Sequence, residues 1–329
     1  MHTNNWTHSF RANKMTMTER VQLKSLTFVQ SIKTLFFITG IISSVYVLLN
    51  ISNAKFDNYN YDFSSLLACG KKEHSVFLLM AVPSKAGNFR ERMAIRNSWG
   101  SVVKQDASIR LFFFVGKEAD QKINDTLTME KETYMDIVEL DIRETYKNLV
   151  KKITALLQWL TVHCTNTKYI LKVDDDVFLN FNLLINYLRN SKPVNSIIGC
   201  KLTNAPVVRD KLSKYYISNE EYNPDIFPVY VGGPAYVISG DILGKLYLAT
   251  NNVSSIFLED VYINGMCREY INALAVGHPS FSCVTRIKEP CGGYFRNLIT
   301  GHPYSAGEIE RMWMQLNDNI TCISSKSYR

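Results

Sequence analysis

Three consecutive aspartates, Asp174, Asp175 and Asp176, close the apolar run "YILKV", and apolar residues resume at once in "VFLN". Carboxylates crowded together hold each other's pKa values up unless a cation lies among them. On an extended chain, alternation sends Asp174 and Asp176 to one face and Asp175 to the other. An all-oxygen donor set suits a hard cation such as Mg²⁺, Mn²⁺ or Ca²⁺. An EF-hand is excluded, because its loop of about 12 residues needs a central Gly and a closing Glu, and neither follows here. A solvated acidic turn is the alternative, and the apolar flanks argue against it.

A second acidic pair, Glu259-Asp260, follows the run "SSIFL". Taken alone it reads as a helix N-terminus, where negative charge meets the positive end of the dipole. Taken with the triplet it divides the labour between a group that holds a cation and a group that takes a proton.

The elements that must position these acids alternate in type. "SVFLLMAV" (75–82) and "RLFFFVG" (110–116) are short apolar runs that read as buried strands. "DIVELDI" (136–142) alternates like a strand with one wet face. In "KKITALLQWL" (151–160), Ile153, Leu156, Leu157 and Leu160 line one face of a helix. "GDILGKLYL" (240–248) has helical period, and "SAGEIERMWMQL" (305–316) opens with the capping box Ser305/Glu308. Strands alternating with helices predict an α/β domain with a mostly parallel sheet. In such sheets ligands bind beyond the carboxyl ends of strands, where the triplet stands.

The chain has 329 residues, 46% of them hydrophobic, and a formal charge of +7. That is a globular composition. Arg11, Lys14, Arg20, Lys24 and Lys33 against Glu19 put +4 of the charge in residues 1–33, and no dense basic block with interleaved aromatics follows. Nucleic acid is therefore excluded as a partner. The basic leader runs into Leu35–Ile51, 17 residues without charge. The pattern predicts a cytoplasmic tail over 1–33, a signal-anchor over 34–51, a lumenal stem over 52–70 and a catalytic domain over 71–329. All seven cysteines follow the anchor, in accord with an oxidising lumen. Asn124, Asn252 and Asn319 head glycosylation sequons.

"ERMAIRNSWG" (91–100), "LFFFVG" (111–116), "ETYMDIVELDIRETYKNLVKKI" (132–153), "YILKVDDDVFLN" (169–180), "FPVYVGGPAYVIS" (227–239) and "LEDVYINGMC" (258–267) occur in this order. The series resembles the motifs of the β-1,3-galactosyltransferase / β-1,3-N-acetylglucosaminyltransferase family and spans about residues 69–322. The resemblance implies a Golgi type II membrane enzyme with a GT-A-type, Rossmann-like nucleotide-sugar domain. It implies inverting transfer from a UDP-sugar with Mn²⁺ (or Mg²⁺). Galactose from UDP-galactose is the expected donor sugar, delivered to the 3-hydroxyl of a glycan on a glycoprotein or glycolipid. N-acetylglucosaminyl or N-acetylgalactosaminyl transfer is the alternative, and a non-catalytic sugar-binding relative is the rival from another class.

Residue by residue, the resemblance makes Asp260 the base, with Glu259 beside it. Asp176 and His302 (in "ITGHPYSAGEIERMW") become the metal ligands. Arg92, Arg96, Lys172, Asp174, Asp175, Gly232 and Gly233 fall on the donor side. It also implies Cys69–Cys164 and Cys267–Cys291 disulfides, and leaves Cys200, Cys283 and Cys322 unassigned. The chain departs from the family pattern in Ser98, in Pro234-Ala235, and in one residue inserted between "EDVY" and "GMC".

Overall fold

A strand covered on both faces has to be apolar on both, and "VFLLMAVPS" meets that condition over β1 (Val76–Ser84). The protein's computed structural model describes residues 75–283 and 290–318 together with Cys69 and Cys322. After β1 come helix α1 (Phe89–Asn97), strand β2 (Ile109–Lys117), helix α2 (Gln121–Tyr134), strand β3 (Ile137–Arg143) and helix α3 (Leu149–His163). Strand β4 (Thr167–Val173) leads through the aspartates to the short strand β5 (Phe178–Leu179) and helix α4 (Phe181–Ser191). Strands β6 (Ser196–Leu202) and β7 (Tyr230–Ser239) are followed by helix α5 (Leu243–Ala249) and a π-helix (Val261–Cys267). A helical turn (Arg268–Tyr270), strand β8 (Leu274–Gly277), the short strand β9 (Thr300–Gly301) and helix α6 (Ala306–Asn317) follow, and short 3₁₀ turns join several of these elements.

Seven strands form one sheet in the order β3-β2-β1-β4-β7-β6-β8. The pairings β1–β2, β1–β4, β2–β3 and β6–β8 are parallel. β7 runs antiparallel to both β4 and β6, which makes the sheet mixed within its mostly parallel pattern. Period-two alternation divides its side chains between two cores. Leu79, Ala81, Phe112, Phe114 and Ile170 pack with α3, α5 and the π-helix on one face. Leu78, Met80, Phe113, Tyr169 and Leu171 pack with α4 and α6 on the other. Trp159 of α3 meets the rings of Phe112 and Phe114 edge-on at 5.4 Å.

The helix ends follow their local chemistry. Asp120 caps α2 by accepting from the Lys122 N–H at 2.8 Å, and Asn180 caps α4 from Leu183 at 3.1 Å. The Ser305/Glu308 capping box forms at the start of α6.

Three disulfides are formed: Cys69–Cys164, Cys200–Cys283 and Cys291–Cys322. Cys69, at the end of the expected stem, is thus fastened to the domain and buried. The expected Cys267–Cys291 pair does not form. Cys267 is a buried thiol in the core under the π-helix, whereas Cys291 lies next to α6, which packs on the opposite face of the sheet. Cys291 bonds instead to Cys322, and the pair brackets α6.

The expected tail, anchor and remaining stem lie outside the described residues, as does Asn319. Among the described residues, no helix is long and apolar enough to cross a membrane. Asn252 is exposed and Asn124 half-buried within α2.

Candidate active site

The triplet does not continue β4 as an extended chain. It forms a turn, closed by the Val177 N–H donating to the Asp174 carbonyl at 3.2 Å. Asp174 is pinned to the neighbouring strand through its N–H, which reaches the Pro234 carbonyl at 2.8 Å. Asp174 and Asp176 line a cleft of about 580 Å³ together with Glu259, Asp260, Gly233, Lys172 and His302. Both also line an adjoining chamber of about 350 Å³, as do Asp175, Ser84, Asn88 and Lys152. Tyr146 and Leu149 border both spaces. Asp175 lines the chamber but not the cleft, whereas Asp174 and Asp176 line both. Asp175 accepts from the Ser84 hydroxyl at 2.6 Å and from the Asn88 amide at 2.9 Å.

Lys172 is the centre of the charge arrangement. Its side chain is 1% exposed. Taking an ammonium out of water costs several kcal/mol, so the group persists only where partners replace the lost hydration. Nζ donates to Asp174 Oδ1 and to the Gly233 carbonyl, each at 2.6 Å, and lies 3.8 Å from Glu259 Oε2. Burial pulls its pKa down, but the attraction of Asp174 and Glu259 outweighs burial and the net shift is upward. Lys172 therefore stays charged and ties the two acidic segments together. Two of its three N–H groups are spent on protein atoms, so Lys172 orders the site while its side chain also lines the cleft.

Glu259 and Asp260 start the helix that continues as the π-helix, which is the helix-N-terminus reading of that pair. Glu259 is buried, accepts from the Tyr236 hydroxyl at 2.6 Å, and is pushed up to about 7, chiefly by burial. Asp260 is less buried and faces the cleft. Its Oδ1 accepts from the Val261 N–H at 2.9 Å and its Oδ2 from the Gly233 N–H at 3.1 Å. Burial raises its pKa, and the two N–H groups restrain the rise. A carboxylate held by two fixed donors, with lone pairs left towards a cleft, is arranged to accept a proton from a bound hydroxyl.

His302 reaches the triplet through the small β5–β9 pairing, in which Phe178 faces Gly301 and Leu179 faces Thr300. The Tyr304 N–H donates to the Asp176 carbonyl at 2.8 Å and extends that register past His302. Burial lowers the His302 pKa, which favours the neutral imidazole that ligates metals. Asp176 is pushed up to about 6 by burial and by Asp174 and Asp175, and its Oδ1 is buried with no hydrogen-bond donor. An orphaned carboxylate oxygen at raised pKa next to a neutral imidazole fits a divalent cation. Among the described residues, no group of three or more His, Cys, Asp or Glu side chains is gathered to hold a metal.

Three expected donor contacts, Arg92, Arg96 and Gly232, do not line the site. Arg92 is fully buried and pairs with Glu130 through Nε at 2.9 Å and Nη2 at 2.5 Å. Arg96 bonds Glu130 at 2.6 Å and Asp136 at 2.8 and 2.7 Å. α1 lies against α2 and the start of β3, and the buried guanidinium groups are neutralised there. Arg92 touches the site only at one remove, donating at 3.1 Å to the Ser84 hydroxyl that holds Asp175. Gly232 lies against Cys200 and Leu202 and does not line the cleft, whereas Gly233 does. Trp99 is core, its Nε1 donating to the Val177 carbonyl at 3.1 Å.

Sequence reading missed the aromatic wall of the cleft, Tyr146, Tyr215, Tyr230 and Phe257. It also missed Ser84 and Asn88. Tyr146 lies within the quoted segment 132–153, but nothing in its local pattern marks it as facing a site.

The chain is similar to known glycosyltransferases. The family model described as galactosyltransferase matches residues 90–276. A UDP-GlcNAc:betaGal beta-1,3-N-acetylglucosaminyltransferase 7 of Rattus norvegicus is 31% identical over 264 residues, covering 75% of this chain and 66% of that protein. A lactosylceramide 1,3-N-acetyl-beta-D-glucosaminyltransferase A of Xenopus laevis is 30% identical over 298 residues, covering 85% and 77%. Among solved structures, a glycosyltransferase involved in the glycosylation of the major capsid of PBCV-1 superposes with TM-score 0.37 at 12% identity, covering 72% of this chain and 99% of that one.

Proposed function

The chain belongs to the galactosyltransferase family, and on that premise we propose that it is an inverting β-1,3-N-acetylglucosaminyltransferase acting on a terminal β-galactose. The names of its relatives support N-acetylglucosamine over the galactose expected from sequence. The observation that carries the reading is the convergence of Asp174, Asp176, His302 and Asp260 on one cleft beside a second polar chamber. In this reading the domain is GT-A-type, the chamber beside Ser84 and Asp175 receives the nucleoside part of a UDP-sugar, and the aromatic side of the cleft receives the acceptor. The domain faces the Golgi lumen on a type II anchor.

Asp176 and His302 would hold Mn²⁺ or Mg²⁺. When bound, the ion supplies positive charge to the departing diphosphate. Asp260 accepts the proton of the acceptor 3-hydroxyl as that oxygen bonds to the anomeric carbon of the donor. The bond from that carbon to the diphosphate breaks on the opposite face, and UDP leaves. Attack opposite the leaving group inverts an α-linked donor to a β-linked product. Lys172 keeps Asp174 and the Gly233 backbone in place, and through Gly233 it supports Asp260.

A soluble lumenal form beginning at about residue 56, given UDP-GlcNAc, UDP-galactose and UDP-GalNAc with lactose-terminated acceptors, tests the reading. The expected product carries β-1,3-linked N-acetylglucosamine by NMR linkage analysis. A galactosylated product would restore the galactose reading. No turnover of any donor by folded protein would leave the non-catalytic relative.

A further inference from the structure

The helix that begins at Asp260 is held to the strand in front of it by three side chains at a fixed interval. Asp260 Oδ2 accepts from the Gly233 N–H at 3.1 Å, the Asn264 amide donates to the Val231 carbonyl at 2.9 Å, and Arg268 Nη2 donates to the Val229 carbonyl at 2.8 Å. The side chains are four residues apart on the helix, and their partners are two residues apart along the chain entering β7. Asn264 is fully buried and Arg268 nearly so. Arg268 Nε also donates to the Asn264 carbonyl at 3.2 Å, joining two rungs.

A regular α-helix cannot keep such a ladder straight. At 3.6 residues per turn, four residues advance by about 400°, so successive rungs drift by roughly 40° and the third lies about 80° from the first. Over Val261–Cys267 the helix is a π-helix. Its i→i+5 bonding places more residues in each turn and rotates the later rungs back towards the strand. The residue inserted between "EDVY" and "GMC" falls inside this segment. Gly265 lets the widened turn lie flush, since a Cβ there would stand 3.2 Å from Pro228 and from Tyr230.

We propose that Asn264 and Arg268 are positioning residues for Asp260, and that the inserted residue, taken up as the π-turn, aligns them. The base is then aimed from the far end of its own helix, through the Val231 and Val229 carbonyls. This rests on the reading of Asp260 as the base. Two measurements therefore separate the ladder from the chemistry.

In Asn264→Ala, amide exchange at Gly233 should speed at least tenfold, with the amides of β4 unchanged. The kcat should fall on the order of 10- to 100-fold, as small misplacements of a reacting group do, while KM for the UDP-sugar stays within about twofold. Arg268→Lys, which keeps a donor, should lose less than Arg268→Met. Unchanged Gly233 exchange in a folded variant overturns the ladder, and so does a loss confined to donor KM. Faster Gly233 exchange in a protein whose wild type transfers no sugar upholds the ladder and removes the catalytic reading instead.

Discussion

The backbone N–H of Tyr304 donates to the carbonyl of Asp176 at 2.8 Å, and this bond between distant segments holds His302 at the aspartate turn. It continues the β5–β9 pairing, so the carboxylate and the imidazole are brought together by strand register. The proposed cation, donor and base functions fall on separate parts of the chain, and each can be tested separately.

Asp260→Asn keeps the shape of the side chain and removes its basicity. Turnover should fall by about 10²–10⁴-fold, the usual contribution of a positioned base. Titration calorimetry should show UDP binding unchanged. Normal turnover would refute the assignment.

Asp176→Ala and His302→Ala should each weaken Mn²⁺-dependent UDP binding by on the order of tenfold or more. Because Asp176 is pushed up to about 6, protons should compete with the ion as pH falls through that value. Binding measured at pH 5 and at pH 7.5 should differ in wild type in that direction. Equal metal dependence in either alanine variant would exclude that residue as a ligand.

Arg92→Met leaves Glu130 buried without its bidentate partner. Breaking such a pair costs about 3–5 kcal/mol. Urea unfolding should register the loss as lower stability. A variant of normal stability with selectively weakened donor binding would return Arg92 to the donor site.

Glu259 binds its proton more tightly in the folded protein than in the unfolded chain, with a pKa raised from 4.5 to about 7. Between those values the folded state holds more protons, so the stability Glu259 contributes is complete below about 4.5 and is lost as pH rises through about 7. Glu259→Gln should flatten this part of the profile, which melting temperatures at pH 5 and pH 8 would measure. A slope identical to wild type would show that other groups carry it.

Six of the seven cysteines are paired, leaving Cys267 as the buried thiol. A thiol reagent should find no reactive group in the native protein and one after unfolding. Non-reducing peptide maps should link Cys200 to Cys283 and Cys291 to Cys322. A Cys267–Cys291 peptide would overturn this pairing.

Period and composition determined much of the architecture. β1, β2, β3, β4, α3 and α6 fall close to where apolar alternation, helical spacing and a capping box place them, because those signals are local. The motif series was enough for the family, since six short segments in fixed order rarely occur by chance. What sequence left undecided was non-local. Arg92 and Arg96 look like surface or ligand-binding cations until α2 brings Glu130 against them. Lys172 looks like a free cation until β7 and the segment before the π-helix bring Gly233 and Glu259 against it. Cys267 and Cys291 look like partners until the sheet comes between them. Residue type and spacing named the acids, whereas only the packed sheet decided which are neutralised by protein and which are left facing the cleft. The physical reason is that a charge is defined by its sequence but its pKa, its partner and its freedom to act depend on what folding buries beside it.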